Sequence, residues 1–125
     1  MSSTSAWNDQ LRSHERELFA LLATLPDDDA ARAAMRDELV TMHLPLVQHL
    51  ARRYRDRGES VDDLVQVGTV GLIKAVDRFD LSRGNEFSTY ATPTILGEIK
   101  RHFRDRTWAM RVPRRLQELQ SSVTA

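Results

Sequence analysis

Apolar residues recur at helical spacing through most of the chain. Over Trp7–Leu25 they repeat every three or four residues with charged residues between them, which predicts an amphipathic helix that Pro26 ends. A second periodic run covers Met35–Tyr54. Because proline lacks the backbone N–H that a helix interior needs, Pro45 should kink this second helix or split it near His43–Leu44.

The third run is apolar on more than one face. Ser60, followed by Asp63, is typical of a helix N-terminal cap, and apolar residues continue from there to Phe79. Gly68 and Gly71 each cost a helix interior roughly 1 kcal/mol relative to alanine, so they indicate close packing. A helix that is apolar nearly all round must be covered on most sides, by its own fold or by a partner.

A turn cluster at 80–85 precedes the last long periodic run, which ends near Phe103. Pro93 is tolerable if this helix begins at Thr92 and disruptive if it begins at Ser88, and the sequence leaves both possibilities open. Pro113 then breaks the pattern again. Since no segment alternates with a period of two, the predicted fold class is all-α, a compact bundle of four to five helices.

Composition excludes several classes of protein. The 125 residues include no cysteine, which excludes disulfides, thiol catalysis and cysteine-ligated zinc. No apolar stretch is long enough to span a bilayer, and the first residues do not form a secretory signal, so a cytoplasmic protein without a membrane partner is expected. The four histidines lie on three predicted helices without metal-ligand spacing. We therefore expect no enzyme, no catalytic residue, no metal and no cofactor.

The formal net charge of zero conceals a polarised chain. Residues 1–40 carry eight acidic and four basic residues, whereas 101–125 carry six basic and two acidic residues. Arginines beside aromatic residues suit single-stranded nucleic acid, on which aromatic rings stack; the alternative is a solvated helix face. The aromatic residues concerned, of which the two phenylalanines could equally be core, are Phe87, Tyr90, Phe103 and Trp108.

Long, ordered motifs resemble region 2 of bacterial RNA polymerase sigma factors. They read DLVQVGTVGLIKAVDRFD at 63–80, FSTYA at 87–91 and RVPRR at 111–115. The segment PTILGEIKRHFRD at 93–105 is similar to the sequences of the stress-response and sporulation branch. The resemblance implies an N-terminal acidic helical segment at 1–35, a sigma region 2 domain at 36–115, and at 116–125 the start of a linker toward downstream domains. Whether this is an excised domain or a naturally short protein stays open, as does whether the acidic helix packs on the core or screens the basic helix.

Two partners follow from the resemblance, and a third is implied by the branch. The apolar third helix would dock on the β′ clamp helices of the RNA polymerase core, and an anti-sigma factor would compete for the same surfaces. The residues that match the polymerase contact are Asp63, Gln66, Val67, Thr69 and Ile73.

The other partner is promoter DNA, whose −10 element would be recognised and melted by capture of non-template-strand bases. Tyr90 matches the aromatic residue on which a flipped adenine stacks. Pro93 and Thr94 stand where the housekeeping pattern has two tryptophans, which implies weaker melting. The residues expected at the DNA are Phe87, Tyr90, Gly97, Lys100, Arg101, Arg104, Trp108, Arg111, Arg115 and Glu118.

Within that set the resemblance implies distinct roles. Gly97 and Lys100 match positions that read upstream −10 bases, Arg101 matches one that holds phosphate, and Arg115 with Glu118 matches the pair that touches an extended −10 motif. Two alternatives from other classes remain. One is a free-standing helix-turn-helix repressor of duplex DNA, and the other is a pure protein-interaction module whose arginines are merely solvated.

Overall fold

Over residues 2–111 the chain forms four α-helices and one short 3-10 helix, which confirms the predicted all-α bundle. The computed structural model describes the backbone of residues 2–111 and the side chains of residues 9–107. Among these residues no helix is long and apolar enough to cross a membrane. The elements, in chain order, are α1 (Ser2–Thr24), α2 (Ala30–Arg52), α3 (Val61–Arg78), the 3-10 helix (Leu81–Arg83) and α4 (Phe87–Arg111).

Side-chain caps begin the helices α2 and α3. Asp29 accepts a hydrogen bond from the backbone N–H of Ala31 at the start of α2, over 2.9 Å. Ser60 accepts one from the backbone N–H of Asp63 at the start of α3, over 3.1 Å, which confirms the predicted cap. Each cap satisfies a donor that a helix N-terminus otherwise leaves without an intrahelical partner.

Two prolines lie inside helices. The predicted split of α2 at Pro45 is wrong, because α2 runs through it without interruption. Leu39 and Val47 are fully buried on either side of this proline, and their packing outweighs one missing backbone hydrogen bond. Pro93 lies within α4, which begins as early as Phe87. Buried residues flank this exposed proline too, so their packing likewise outweighs the missing backbone hydrogen bond.

The core lies where α3 packs between α2 and α4. Glycines on α3 permit this contact: a Cβ at Gly71 would lie 2.8 Å from the Cα of Ile95, and one at Gly68 would lie 2.8 Å from Cγ1 of Val47. The predicted close packing is confirmed. Besides Gly68 and Gly71, the buried residues of the three helices are Leu39, Val47, Leu50, Ala51, Leu64, Leu72, Ala75, Val76, Phe87, Ala91, Ile95 and Ile99.

The acidic N-terminal helix packs on this core. Leu18, Phe19 and Leu22 of α1 are buried, and α1 lies against α2 and the 3-10 helix. The sequence left open whether the acidic helix packs on the core or screens the basic helix, and the structure shows packing on the core. The Phe19 ring contacts the rings of Phe79 and Phe87, with centroids 4.7 and 5.1 Å away, so α1 supports the end of the bundle where α4 begins.

Candidate functional site

One side of α4 carries most of the basic residues expected at DNA. At about 100° per residue, Tyr90, Gly97, Lys100, Arg101 and Arg104 fall within a sector of roughly 100°. We call these five residues the α4 outer face. Lys100, Arg101 and Arg104 are exposed and Tyr90 is half-buried. The face extends for about 21 Å along the helix axis.

The opposite side of α4 is buried. Ile95 and Ile99, which lie in the core, are fully covered, so the helix can present its basic side without losing its packing. A Cβ at Gly97 would have no atom within 4 Å, which leaves space for a ligand to approach the backbone there. The side chains of Trp108 and Arg111, and residues Arg115 and Glu118 altogether, lie outside the described parts of the chain.

The expectation that Phe87 contacts DNA is wrong in this fold. Its side chain is 1% exposed, and its ring lies 4.6 Å from that of His43 and 5.3 Å from that of Phe79, centroid to centroid. Because Phe87 opens α4 on the side that faces α1 and α2, its ring enters the core. Phe103, the other phenylalanine of the aromatic set considered for nucleic acid, packs against Tyr54 with ring centroids 5.7 Å apart.

A polar pocket adjoins the N-terminal end of the α4 outer face. Its volume is about 390 Å³, within the range of small-molecule sites. The Tyr90 ring forms one wall and leans on Phe79, with centroids 5.4 Å apart and planes at 54°. The residues that line the pocket are Arg78, Phe79, Asp80, Arg83, Asn85 and Tyr90.

The turn between α3 and α4 shapes this pocket. Asp80 accepts hydrogen bonds from the Ser82 hydroxyl (2.6 Å) and from the Ser82 backbone N–H (3.0 Å). Both hydrogen bonds favour the charged carboxylate. They hold the pKa of Asp80 below its ordinary value, and the bond from the Ser82 hydroxyl has the larger effect. Gly84 adopts a left-handed conformation with φ of 77°, which glycine permits without steric cost and which turns the chain toward α4.

Three pocket residues were missed by reasoning from sequence. Arg78, Arg83 and Asn85 supply two cations and an amide beside the Tyr90 ring. The sequence marks 80–85 as a turn, and a turn that leads into Tyr90 is the signal that could have drawn attention to its polar side chains. Their approach to the ring depends on how the turn folds back, which periodicity does not indicate.

The outward side of α3 collects the residues expected to bind polymerase. Asp63 and Gln66 are exposed, whereas Val67, Thr69 and Ile73 are half-buried. The Thr69 hydroxyl donates to the carbonyl of Val65 over 2.7 Å, so it serves the helix itself. The structure therefore brings these five side chains to one side of the domain.

Val70 lies near the middle of this side and was also missed. Its side chain is 47% exposed, one of three large apolar residues in the described part of the chain with such exposure. Helical arithmetic on Gln66 and Ile73 would have found it, because Val70 is four residues after one and three before the other. We call Asp63, Gln66, Val67, Val70 and Ile73 the α3 outer face.

Three of the four histidines contact glutamates. His14, His43 and His102 each contact one carboxylate, with N···O distances of 2.5, 2.6 and 2.8 Å. Within the described residues, no three potential ligands among histidine, cysteine, aspartate and glutamate lie close enough to hold a metal ion. The geometry of the outer faces thus supports macromolecular contacts, through stacking, ion pairing and apolar burial.

Comparisons with known proteins give one consistent result. Residues 39–109 match the family model described as Sigma-70 region 2. RNA polymerase sigma factor SigF of Mycobacterium tuberculosis is 50% identical over 103 residues, which are 82% of this chain and 40% of that protein. RNA polymerase sigma-G factor of Bacillus subtilis is 47% identical over 104 residues, 83% of this chain and 38% of that protein.

A third relative is RNA polymerase sigma-B factor of Bacillus anthracis, which is 39% identical over 105 residues. That alignment covers 84% of this chain and 40% of the relative. The chain therefore spans about two fifths of the length of these three relatives.

Proposed function

This chain belongs to the sigma-70 region 2 family, in the branch of the SigB and SigF factors, and we propose that it captures the −10 element of promoters while bound to RNA polymerase core. In this proposal it works as a transcription initiation factor and performs no catalysis itself. Melting draws its free energy from base stacking and from polymerase contacts. An anti-sigma factor would compete for the same outer faces.

The observation that carries the proposal is the position of Tyr90. Its ring stands half-exposed between the polar pocket and the basic side of α4. A base that leaves the duplex needs an aromatic platform and hydrogen-bonding groups around its edge. Tyr90 supplies the platform, and Asn85 can supply both a donor and an acceptor. Arg78 and Arg83 can neutralise the phosphates on either side of the flipped nucleotide.

The remainder of the α4 outer face would follow the DNA away from the flipped base. Gly97 lets the strand approach the helix backbone, Lys100 can donate to the acceptor edge of a guanine, and Arg101 can hold a phosphate. These contacts run toward the C-terminal end of α4, which therefore lies at the upstream side of the −10 element. The exposed Pro93 offers no flat ring to prop the bubble, so melting by this chain should depend strongly on promoter sequence.

The α3 outer face would dock on the β′ clamp helices. It combines apolar area from Val70 and Ile73 with the polar side chains of Asp63 and Gln66, a mixture that suits a specific protein interface. The close contact at Gly71 holds α3 and α4 together. Polymerase bound to one helix would therefore set the position of DNA on the other.

A polymerase-binding experiment tests the docking face. Gln66→Glu with Ile73→Asp places two carboxylates on the α3 outer face and should abolish co-elution with bacterial core RNA polymerase, because charges are depleted from interface centres. The matched control is Leu21→Asp on α1, since Leu21 is 50% exposed and away from α3. Unchanged co-elution of the double variant, or equal loss by the control, would contradict the docking proposal.

Base capture is tested in the presence of core. Tyr90→Ala should weaken binding of a −10 non-template oligonucleotide by roughly 5- to 150-fold, which corresponds to the 1–3 kcal/mol of one stacked base. Tyr90→Phe keeps the platform and should bind within about twofold of the unmodified chain. If Tyr90→Ala binds polymerase normally and still binds the oligonucleotide as tightly as the unmodified chain, the proposed stacking on Tyr90 is wrong.

A further inference from the structure

A cluster of four arginines at the end of α2 is unused by the contacts proposed above. Arg52 and Arg53 end the helix, and Arg55 and Arg57 follow in the loop that leads to α3. All four are exposed. We call them the arginine cluster. Asp56, which turns the chain with φ of 66°, is the single acidic residue among them, and its carboxylate lies 3.9 Å from Nε of Arg55.

Interaction with the helix dipole explains two of the four arginines. Cations in the last turn of a helix interact favourably with its dipole, and this effect falls off beyond that turn. Arg52 and Arg53 fit this explanation. Arg55 and Arg57 lie past the helix end, and Arg55 remains 69% exposed at its side chain. Their charges therefore require another account.

The loop is fastened to the C-terminal half of α4. Arg106 donates to the carbonyl of Gly58 over 2.8 Å and pairs with Glu59. His102 also contacts the Glu59 carboxylate, over 2.8 Å. Two residues of α4 thus hold the loop in place, and the arginines that precede Gly58 are carried on a fixed support.

An aromatic contact connects the cluster to the basic side of α4. The Arg57 guanidinium lies over the Tyr54 ring, 5.1 Å from its centroid, and the Tyr54 ring packs on Phe103 at 5.7 Å. Phe103 is one turn after Lys100 and adjacent to Arg104, so it occupies the flank of α4 next to the α4 outer face. Arg57 therefore stands beside the same flank as those two cations.

From this placement we propose that the arginine cluster binds the phosphate backbone of duplex DNA immediately upstream of the −10 element. The inference rests on the proposed function, which sets the direction of DNA along α4. Phe103, against which the Tyr54 ring packs, lies about 4.5 Å beyond Lys100 along the helix axis, a distance of one to two nucleotides at roughly 3.4 Å each. A duplex that leaves Lys100 in the upstream direction would then meet the loop. Arginine forks match phosphate oxygens in such contacts.

The test compares two DNA probes with the chain bound to core polymerase. One probe is the single-stranded −10 non-template oligonucleotide, and the other is a fork that adds upstream duplex to the same strand. Arg55→Gln with Arg57→Gln should lower affinity for the fork at least tenfold at about 50 mM salt and reduce the slope of log affinity against log salt by about 0.9 per lost phosphate. Affinity for the single strand should stay within about twofold.

The matched control removes two arginines from α1. Arg12→Gln with Arg16→Gln lowers the net charge equally, at exposed positions on another helix, and should leave fork affinity within about threefold. Thermal unfolding should show both double variants as stable as the unmodified chain. Equal loss on both probes, no loss on the fork, or equal loss by the control would overturn the proposal.

The outcomes separate this proposal from the proposed function. If the unmodified chain binds the fork but not the single strand, base capture fails while a fork-specific loss in the Arg55/Arg57 variant still supports the cluster. If it binds the single strand and the variant binds the fork normally, base capture stands and the cluster proposal fails.

Discussion

The contact between α3 and α4 differs in kind from the contact between α1 and the rest of the bundle. At Gly71 the two functional helices approach so closely that a Cβ would lie 2.8 Å from Cα of Ile95 and 2.9 Å from the carbonyl oxygen of Thr94. Ile95, Ile99 and Leu72 bury their side chains completely at this junction. At Gly71 shape governs the contact, because backbone atoms cannot move aside as a flexible side chain can. One ion pair also joins the two helices, between Nζ of Lys74 and the Glu98 carboxylate over 2.5 Å.

The α1 contact combines aromatic packing with ion pairs. Phe19 enters the core, while His43 joins the Glu15 carboxylate over 2.6 Å and His14 joins Glu38 over 2.5 Å. The His43 ring also meets a carbonyl through Nδ1, over 2.8 Å, so both of its nitrogens face acceptors. The direction of each hydrogen bond therefore matters for this contact.

The difference indicates how the two parts of the domain serve its function. The close junction keeps the spacing of the α3 and α4 outer faces constant, which suits the proposed transmission of position from polymerase to DNA. The α1 contact supports that frame from one side, through Phe19 and Phe79 behind the Tyr90 ring. The helix α1 itself lies ahead of residues 39–109, which match the family model.

The largest expected effect is loss of the α1 anchor. Phe19→Ala should lower the free energy of unfolding by about 3–5 kcal/mol, since it removes a buried ring and leaves a cavity. Urea unfolding measures this change. Leu21→Ala, at an exposed position of the same helix, should stay within about 0.5 kcal/mol. A cost below about 1 kcal/mol for Phe19→Ala would show that α1 is held chiefly by its ion pairs.

The α3–α4 junction comes next. Gly71→Ala should destabilise the domain by about 1–3 kcal/mol, because the added methyl overpacks the contact against backbone atoms. Gly97→Ala is the matched control on α4, where a Cβ meets nothing within 4 Å. It should stabilise by about 0.5–1 kcal/mol, since glycine is unfavourable within a helix. Thermal or urea unfolding measures the stability of both variants. Equal changes in the free energy of unfolding would contradict the view that close packing at Gly71 limits this junction.

A smaller effect is expected at the ion pairs of α1. Glu15→Ala leaves Nε2 of a largely buried His43 without its acceptor, and should cost about 1–2 kcal/mol. Glu38→Ala breaks the pair with His14, in which both side chains are about half-exposed, and should cost less than about 1 kcal/mol. Unfolding at neutral pH measures both. The reverse order would mean that burial does not set the strength of these contacts.

The smallest effect concerns the turn that shapes the pocket. Because the folded pKa of Asp80 lies below its ordinary value of 3.8, its ionised form stabilises the fold above that pH, and this contribution is lost as the pH falls through the folded pKa. Ser82→Ala removes the larger cause, the hydroxyl hydrogen bond, and should raise the pKa of Asp80. Carboxyl NMR titration of both proteins tests this, and an unchanged pKa would contradict the assignment.

Local chemistry explains what could be predicted before the fold was known. Apolar spacing within each run predicts the helices, the Ser60 cap marks the start of α3, and the two glycines of α3 indicate close packing, since these signals involve residues a few positions apart. The long motifs likewise indicate the family. Of the two predicted effects of Pro45, the split is wrong, because the intrinsic penalty of proline says nothing about the burial of Leu39 and Val47 around it.

Apolar spacing and the long motifs are thus enough to predict the helical architecture, the family and which helices carry the basic and apolar surfaces. Packing between distant segments places Phe87 in the core and brings Arg83 and Asn85 to the pocket that Tyr90 lines. The physical reason is range. Helix periodicity and capping are set within one or two turns, whereas burial and pocket geometry depend on which distant segments pack against each side chain.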